Sequence, residues 1–179
     1  MQQHYQAFLE EPTAANYRRV RGAILALPDF QPSMLSLHVA ASLCGQRHHA
    51  EASAQLEEMS PDWALSPRYH QLAAQLAEAL GDEEDAEVEQ FAACCCLRGL
   101  LATGDGSRMF PYLLTYTSDA QDILGFRGLR PVRQALHEHR GRRYDVVACG
   151  DGGNYWFDVT DLMQGLPVLQ GLETAKSQL

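Results

Sequence analysis

The sequence predicts a mainly α-helical protein, α+β overall, in which antiparallel helical hairpins lead into a small β-containing C-terminal cap. Three observations carry this expectation. Apolar residues recur at helical steps of three and four from Tyr17 to Leu80. A helix closed by glycine recurs 36 residues later, at Gly45 and again at Gly81. Beyond Gly104 the pattern changes to turn residues and β-rich runs.

The first helix follows Pro12 and a cap candidate at Thr13, with Tyr17, Val20, Ile24 and Leu27 on one face, and Pro28 stops it. Ser33 can cap a second helix carrying Met34, Leu37, Ala41 and Cys44, ended by Gly45. A third runs from about His48 to Met59 with Ala52, Leu56 and Met59 inward, and Ser60-Pro61 breaks it. Ser66 caps the fourth, Pro67 suits its first position, and Tyr69, Leu72, Ala73, Leu76 and Leu80 form its stripe up to Gly81. The acidic run DEEDAEVE opens the fifth, where carboxylates favour the helix dipole. From Val88 this helix is apolar on every side, so residues 88–101 are expected to be the central buried element, with Val88, Phe91 and Leu97 packed against Leu72 and Leu76. The layout over residues 33–100 resembles the tetratricopeptide class, without most of its aromatic and proline signature positions.

After Gly104 the run Tyr112 to Thr117 is β-rich, and PVRQALHEH at 131–139 reads as a short helix begun by proline. Tyr144 to Cys149 and Tyr155 to Thr160 read as strands joined by a GDGGN loop that needs positive φ at Gly152 or Gly153. The last dozen residues are polar and expected to fray. The helical region is therefore placed at 1–103 and the cap at 104–179. The two are expected to share one core, since no Pro/Ser-rich linker separates them.

The stretches GDGSRMFPYLLTYTSDAQDILGF and GRRYDVVACGDGGNYWFDV, within about residues 98–160, resemble the C-terminal part of an uncharacterised family of bacterial proteins. In that family a helical front half leads into a GDG loop, then a strand, a short acidic turn, a helix, and a paired YDV and FDV ending. The resemblance implies a bacterial protein and an α+β ending. It implies no reaction and no ligand.

Composition bounds the function. The chain has 179 residues, 46% apolar, enough for one sizeable core. Its longest apolar run, Phe91 to Leu97, falls well short of the ~20 residues of a bilayer span. The N-terminus lacks the basic and apolar regions of a signal peptide. The five cysteines are odd in number and form no C-x-x-C pair. A cytoplasmic protein with no membrane role is the expectation. Net charge is −9, and residues 1–100 hold 14 acidic and 6 basic side chains against 9 and 8 in the remainder. Such a chain repels phosphate backbones, so nucleic acid is not expected as a partner.

Catalytic signatures are weak. Neighbours on a helix point about 100° apart, so Cys94, Cys95 and Cys96 cannot converge on one ion and read as small core residues. His48-His49 and His137-Glu138-His139 lack the H-x-x-x-H spacing of a zinc helix. Asp105 and Asp151 sit in Gly-Asp-Gly without calcium-loop spacing, and turn formation explains both. No phosphate loop or nucleophile elbow occurs. No metal or cofactor is expected.

Two functions remain. The first is a non-enzymatic protein-interaction module that binds a protein partner through its helical surface. Its candidate binding residues are the acidic Glu83, Glu84 and Asp85, and the basic Arg130, Arg133 and His137, whose spacing would share a helix face and suit a carboxylate or phosphate. The alternative is a small hydrolase-like enzyme using the loops Gly104–Ser107 and Cys149–Asn154, with His137, Cys149 or Asp151 in its pocket.

Overall fold

The computed structural model describes residues 1–28, 30–31 and 35–163. Among these, a helical front half leads into a small sheet with one further helix packed on it. The order is α1 (Gln2–Glu10), α2 (Ala14–Leu25), α3 (Leu35–Gly45), α4 (His49–Trp63), α5 (Pro67–Leu80), α6 (Glu83–Leu101), β1 (Tyr112–Leu113), α7 (Asp119–Phe126), β2 (Pro131–His139), β3 (Arg142–Cys149) and β4 (Asn154–Asp158). The expected caps at Ser33 and fraying at the last dozen residues lie outside the described residues.

Local signals set most helix ends. Thr13 accepts from the Asn16 N–H at the start of α2, and Ser66 accepts from the Tyr69 N–H at the start of α5. Gly81 stands in the left-handed region at φ 82°, and the backbone bonds from Gly81 to Ala77 and Glu78 close α5. Asp82 then caps α6 through the Asp85 N–H. The matching turn after α3 is built differently: Arg47, not Gly45, takes positive φ (63°).

Several expectations are corrected. α1 is an additional helix, legible in the three-and-one spacing of Tyr5, Phe8 and Leu9, and Phe8 is wholly buried. α4 does not stop at Ser60-Pro61 but carries Pro61 inside it, and the extra turn delivers Trp63 to the core. On α3 the inward face holds Leu37 and Ala40, while Ala41 is exposed. Leu80 leaves the α5 stripe at 58% exposure. α6 is not buried all round. Ala92, Ala93, Cys95, Cys96, Gly99 and Leu100 face inward, whereas Val88 and Phe91 are each 57% exposed and Leu97 is half-buried. Small residues win the inside of α6 because neighbouring chains approach closely: a Cβ on Gly99 would collide with the rings of Phe8 and Tyr17.

The sheet order is β1-β4-β3-β2, with β1 parallel to β4 and the other neighbours antiparallel. Residues 131–139 are therefore a strand, not the expected helix. Arg140 (φ 52°) and Gly141 (φ 73°) form a two-residue turn of left-handed residues, which pairs His139 with Arg142 and zips β2 onto β3. The GDGGN loop joins β3 to β4 as expected, with Gly152 at φ 84°. The β-rich run ends early at Leu113, because the N–H groups of Thr115 and Tyr116 both donate to Asp119 Oδ2 at the start of α7.

One core runs through both halves. Tyr17, Phe8, Ile24 and Leu100 from the helices pack in the same cluster as Tyr116, Ile123, Val147 and Phe157 from the cap. Trp63 stacks on Tyr116 with ring centroids 4.7 Å apart, and the Tyr116 hydroxyl donates to the Asp62 carbonyl at 2.7 Å.

Candidate functional site

The first turn of α6 puts carboxylates over a groove between α4, α5 and α6. Leu56, Ala73, Leu76 and Ala77 supply its apolar lining, Leu80 stands exposed beside them, and Glu57, Asp82, Asp85 and Glu89 are its acidic groups. Its volume is about 410 Å³. The alternation of apolar and acidic positions on α5 and α6 builds it: the inward stripe of α5 forms the floor, and the helix-starting acids of α6 form one wall. The Tyr69 hydroxyl closes one end by donating to the Leu56 carbonyl at 3.1 Å. Glu89 is engaged by His70 Nδ1 at 2.5 Å, and that ring also contacts the Ala64 carbonyl at 3.0 Å. Partial burial, then the Glu89 and Asp82 charges, push the Asp85 carboxyl above its ordinary value. Three like charges crowded over an apolar floor favour a cation there.

Of the expected acidic residues, Asp85 lines this groove. Glu83 and Glu84 are exposed on the same turn and do not line it. Among the described residues no ion pair joins residues 82–85 to the arginines at 127–143. Glu57 and Glu89, which complete the groove, escaped the sequence reading. Glu57 directly follows the core position Leu56 on α4 and Glu89 lies on α6, so only the packing of the helices brings them together.

The basic candidates are arranged by a strand, not a helix. Arg133 and His137 occupy one face of β2, about 13 Å apart along it. Arg130 lies just before β2, where its carbonyl accepts from the Gly150 N–H. The three therefore do not converge. All are exposed.

The two Gly-Asp-Gly loops are linked through Tyr155 of β4, whose hydroxyl donates to Asp151 and whose ring lies beside Gly106. The Trp156 N–H donates to the Gly106 carbonyl at 2.8 Å, and Arg127 sits over the Tyr155 ring while donating to the Tyr112 hydroxyl at 3.0 Å. Their carboxylates are already engaged. Ser107 bonds hold Asp105 below its ordinary range, and Gly153 and Tyr155 do the same for Asp151. Cys149 is buried on the core face of β3, with its thiol pushed up by burial and then by Asp151. His137 pairs in register with Tyr144, on the opposite face from Cys149. His137 and Cys149, named for the alternative hydrolase-like pocket, are therefore not brought together, and neither loop holds a base poised at neutral pH.

Two of the three adjacent cysteines fill the core, and Cys94, expected among them, does not. Cys95 and Cys96 are buried and Cys94 is exposed, and the Cys96 thiol contacts the Ala64 carbonyl at 3.4 Å. Burial raises the thiols of Cys95 and Cys96 above their ordinary value. Among the described residues no group of three or more His, Cys, Asp or Glu side chains is gathered to hold a metal ion, and no helix is long and apolar enough to cross a membrane.

Comparison of the chain with protein-family models, with curated proteins and with solved structures finds no match.

Proposed function

We propose that this protein is a non-enzymatic interaction module that binds a partner protein through the groove between α4, α5 and α6. The observation that carries the reading is the combination of an apolar floor with Glu57, Asp82, Asp85 and Glu89 around it. That chemistry fits a basic segment with one or two apolar anchors: aliphatic side chains fill the floor beside Leu56 and Leu76, and lysine or arginine meets the carboxylates. The acidic balance of the front half steers such a partner toward the groove. Glu83 and Glu84 add to the field without touching the bound segment.

A photo-crosslinking side chain placed at exposed Leu80 tests this. Crosslinks formed in cells are expected to map to a Lys- or Arg-rich segment of the partner and to weaken with salt. Glu57→Lys combined with Asp85→Lys should reduce them at least tenfold with an unchanged melting temperature. Crosslinks that survive both charge reversals, or that map to a segment without basic residues, would overturn the proposal.

A further inference from the structure

The outer face of the sheet has the opposite chemistry. Strand register places Arg133, Ala135 and His137 of β2, Tyr144, Val146 and Ala148 of β3, and Trp156 and Asp158 of β4 on one face. Val147, Cys149 and Phe157 are buried on the other, in the cluster shared with the helices. Trp156 is the centre of the outer face. The His137 and Tyr144 rings lie 5.4 and 5.8 Å from it, and the Arg108 guanidinium stands over its ring at 5.5 Å. Beside it Met109 and Phe110 are strongly exposed and, with Arg18, Arg142, Tyr144 and Asp158, line a hollow of about 350 Å³.

Charge on this face is lopsided. Arg18, Arg108, Arg133 and Arg142 stand around it, against the carboxylates of Asp158, which Arg142 already engages, and of Asp161, which acts on Arg142 and pairs with Arg21. Arg108 and Arg133 form no ion pair among the described residues. An anion is thus the complementary ligand, and a ring cluster in which His137 is exposed and Trp156 and Tyr144 are half-buried, with a guanidinium over Trp156, selects one that carries flat groups.

We propose that this face binds single-stranded nucleic acid, with phosphates on Arg108 and Arg133 and a base against the Trp156–Tyr144 pair. An acidic peptide would satisfy the arginines and leave the rings without a stacking partner. A duplex keeps its bases stacked on one another. The whole-chain charge of −9, from which no nucleic-acid role was expected, counts carboxylates of the helical half. At physiological salt a field decays over about 8 Å, so the local sign governs docking.

Tryptophan emission reads this directly. Of the two tryptophans, Trp63 is buried against Tyr116, and Trp156 lies on the proposed face. Titration with oligothymidylate about a dozen nucleotides long, at about 50 mM salt, should quench emission saturably, and raising salt to about 200 mM should weaken binding roughly tenfold, as loss of two or three phosphate contacts implies. Arg108→Glu with Arg133→Glu should weaken binding at least tenfold and leave the melting temperature unchanged, since both side chains are exposed. The proposal is overturned by absence of quenching at low salt or by undiminished binding of the double variant. It is equally overturned if polyglutamate of matched charge, or a duplex of the same sequence, binds as tightly as the single strand.

Discussion

The hydroxyls of Tyr17 and Thr115 meet at 2.8 Å inside the core, although the two residues are 98 positions apart in the chain. One turn along α2 from Tyr17, Arg21 reaches the same segment, donating from Nε and Nη2 to the Leu114 carbonyl at 3.0 and 2.7 Å and from Nη1 to Asp161 at 2.7 Å. The helical half and the cap are therefore held by buried polar contacts as well as by apolar packing. A buried guanidinium fork of this kind is costly to lose because its acceptors cannot all find water.

Arg21→Met is accordingly expected to destabilise the fold by about 1–3 kcal/mol, the cost of leaving the buried Leu114 carbonyl without a donor. Asp161 is 39% exposed at its side chain and can rehydrate, so Asp161→Asn should cost clearly less. Denaturant midpoints of the two variants check the order, and equal losses would mean that the ion pair dominates over the carbonyl.

On α6 the expected ranking of side chains by size is reversed. Leu100 is wholly buried, so Leu100→Ala should cost about 2–5 kcal/mol. Phe91 is 57% exposed, so Phe91→Ala should cost less than about 1 kcal/mol. Gly99→Ala should cost about 1–3 kcal/mol through overpacking, since the added methyl meets the Phe8 and Tyr17 rings. Thermal unfolding of the three variants measures this; a larger loss at Phe91 than at Leu100 would reverse the assigned face of α6.

What the sequence disclosed follows from how one-sided each element is. α5 has one buried stripe, a Ser cap and a Gly stop, and all three are legible from the residues. α6 packs against several neighbours through Ala, Cys and Gly, so its large residues did not mark its inside. β2 is exposed along nearly its whole length, so no two-residue alternation of burial exists for a pattern to report. Its Gln, Ala, Leu and Glu suit a helix, and only the Arg140-Gly141 turn decides against one. In the acidic groove Asp85 was legible because charges cluster at the start of a helix. Glu57 and Glu89 were not, because α4 had first to fold back on α5.

The β3–β4 loop offers a paired test. Gly152 sits at φ 84°, where a side chain is strained, so Gly152→Ala should destabilise by about 1–2 kcal/mol. Gly150 has no such conformation, and a Cβ there would come no nearer than 3.9 Å to its neighbours, so Gly150→Ala should be nearly neutral. Equal effects at the two positions would show that loop packing, not backbone conformation, sets the cost.

The last prediction concerns pH. Asp119 is wholly buried, and its Oδ2 accepts from the N–H groups of Thr115 and Tyr116 at 2.7 and 2.9 Å while its Oδ1 has no partner. Burial is the largest influence on it and, with the nearby Asp122 charge, outweighs those two bonds and Arg21, raising its carboxyl from 3.8 to about 7. Between those values the folded state keeps a proton that the unfolded chain releases. Stability from this group is thus fully present below about pH 4, declines as pH rises toward 7, and is level above that. Asp122, raised in the same direction by burial, adds to the decline. Asp119→Asn retains an oxygen to accept both backbone bonds and removes the titration. The wild-type melting temperature should be higher near pH 5 than near pH 7.5, and the variant should lose most of that difference. Should the variant keep the full difference, the buried proton belongs to Asp122 and the turn at Thr115–Asp119 is held by an ionised carboxylate throughout.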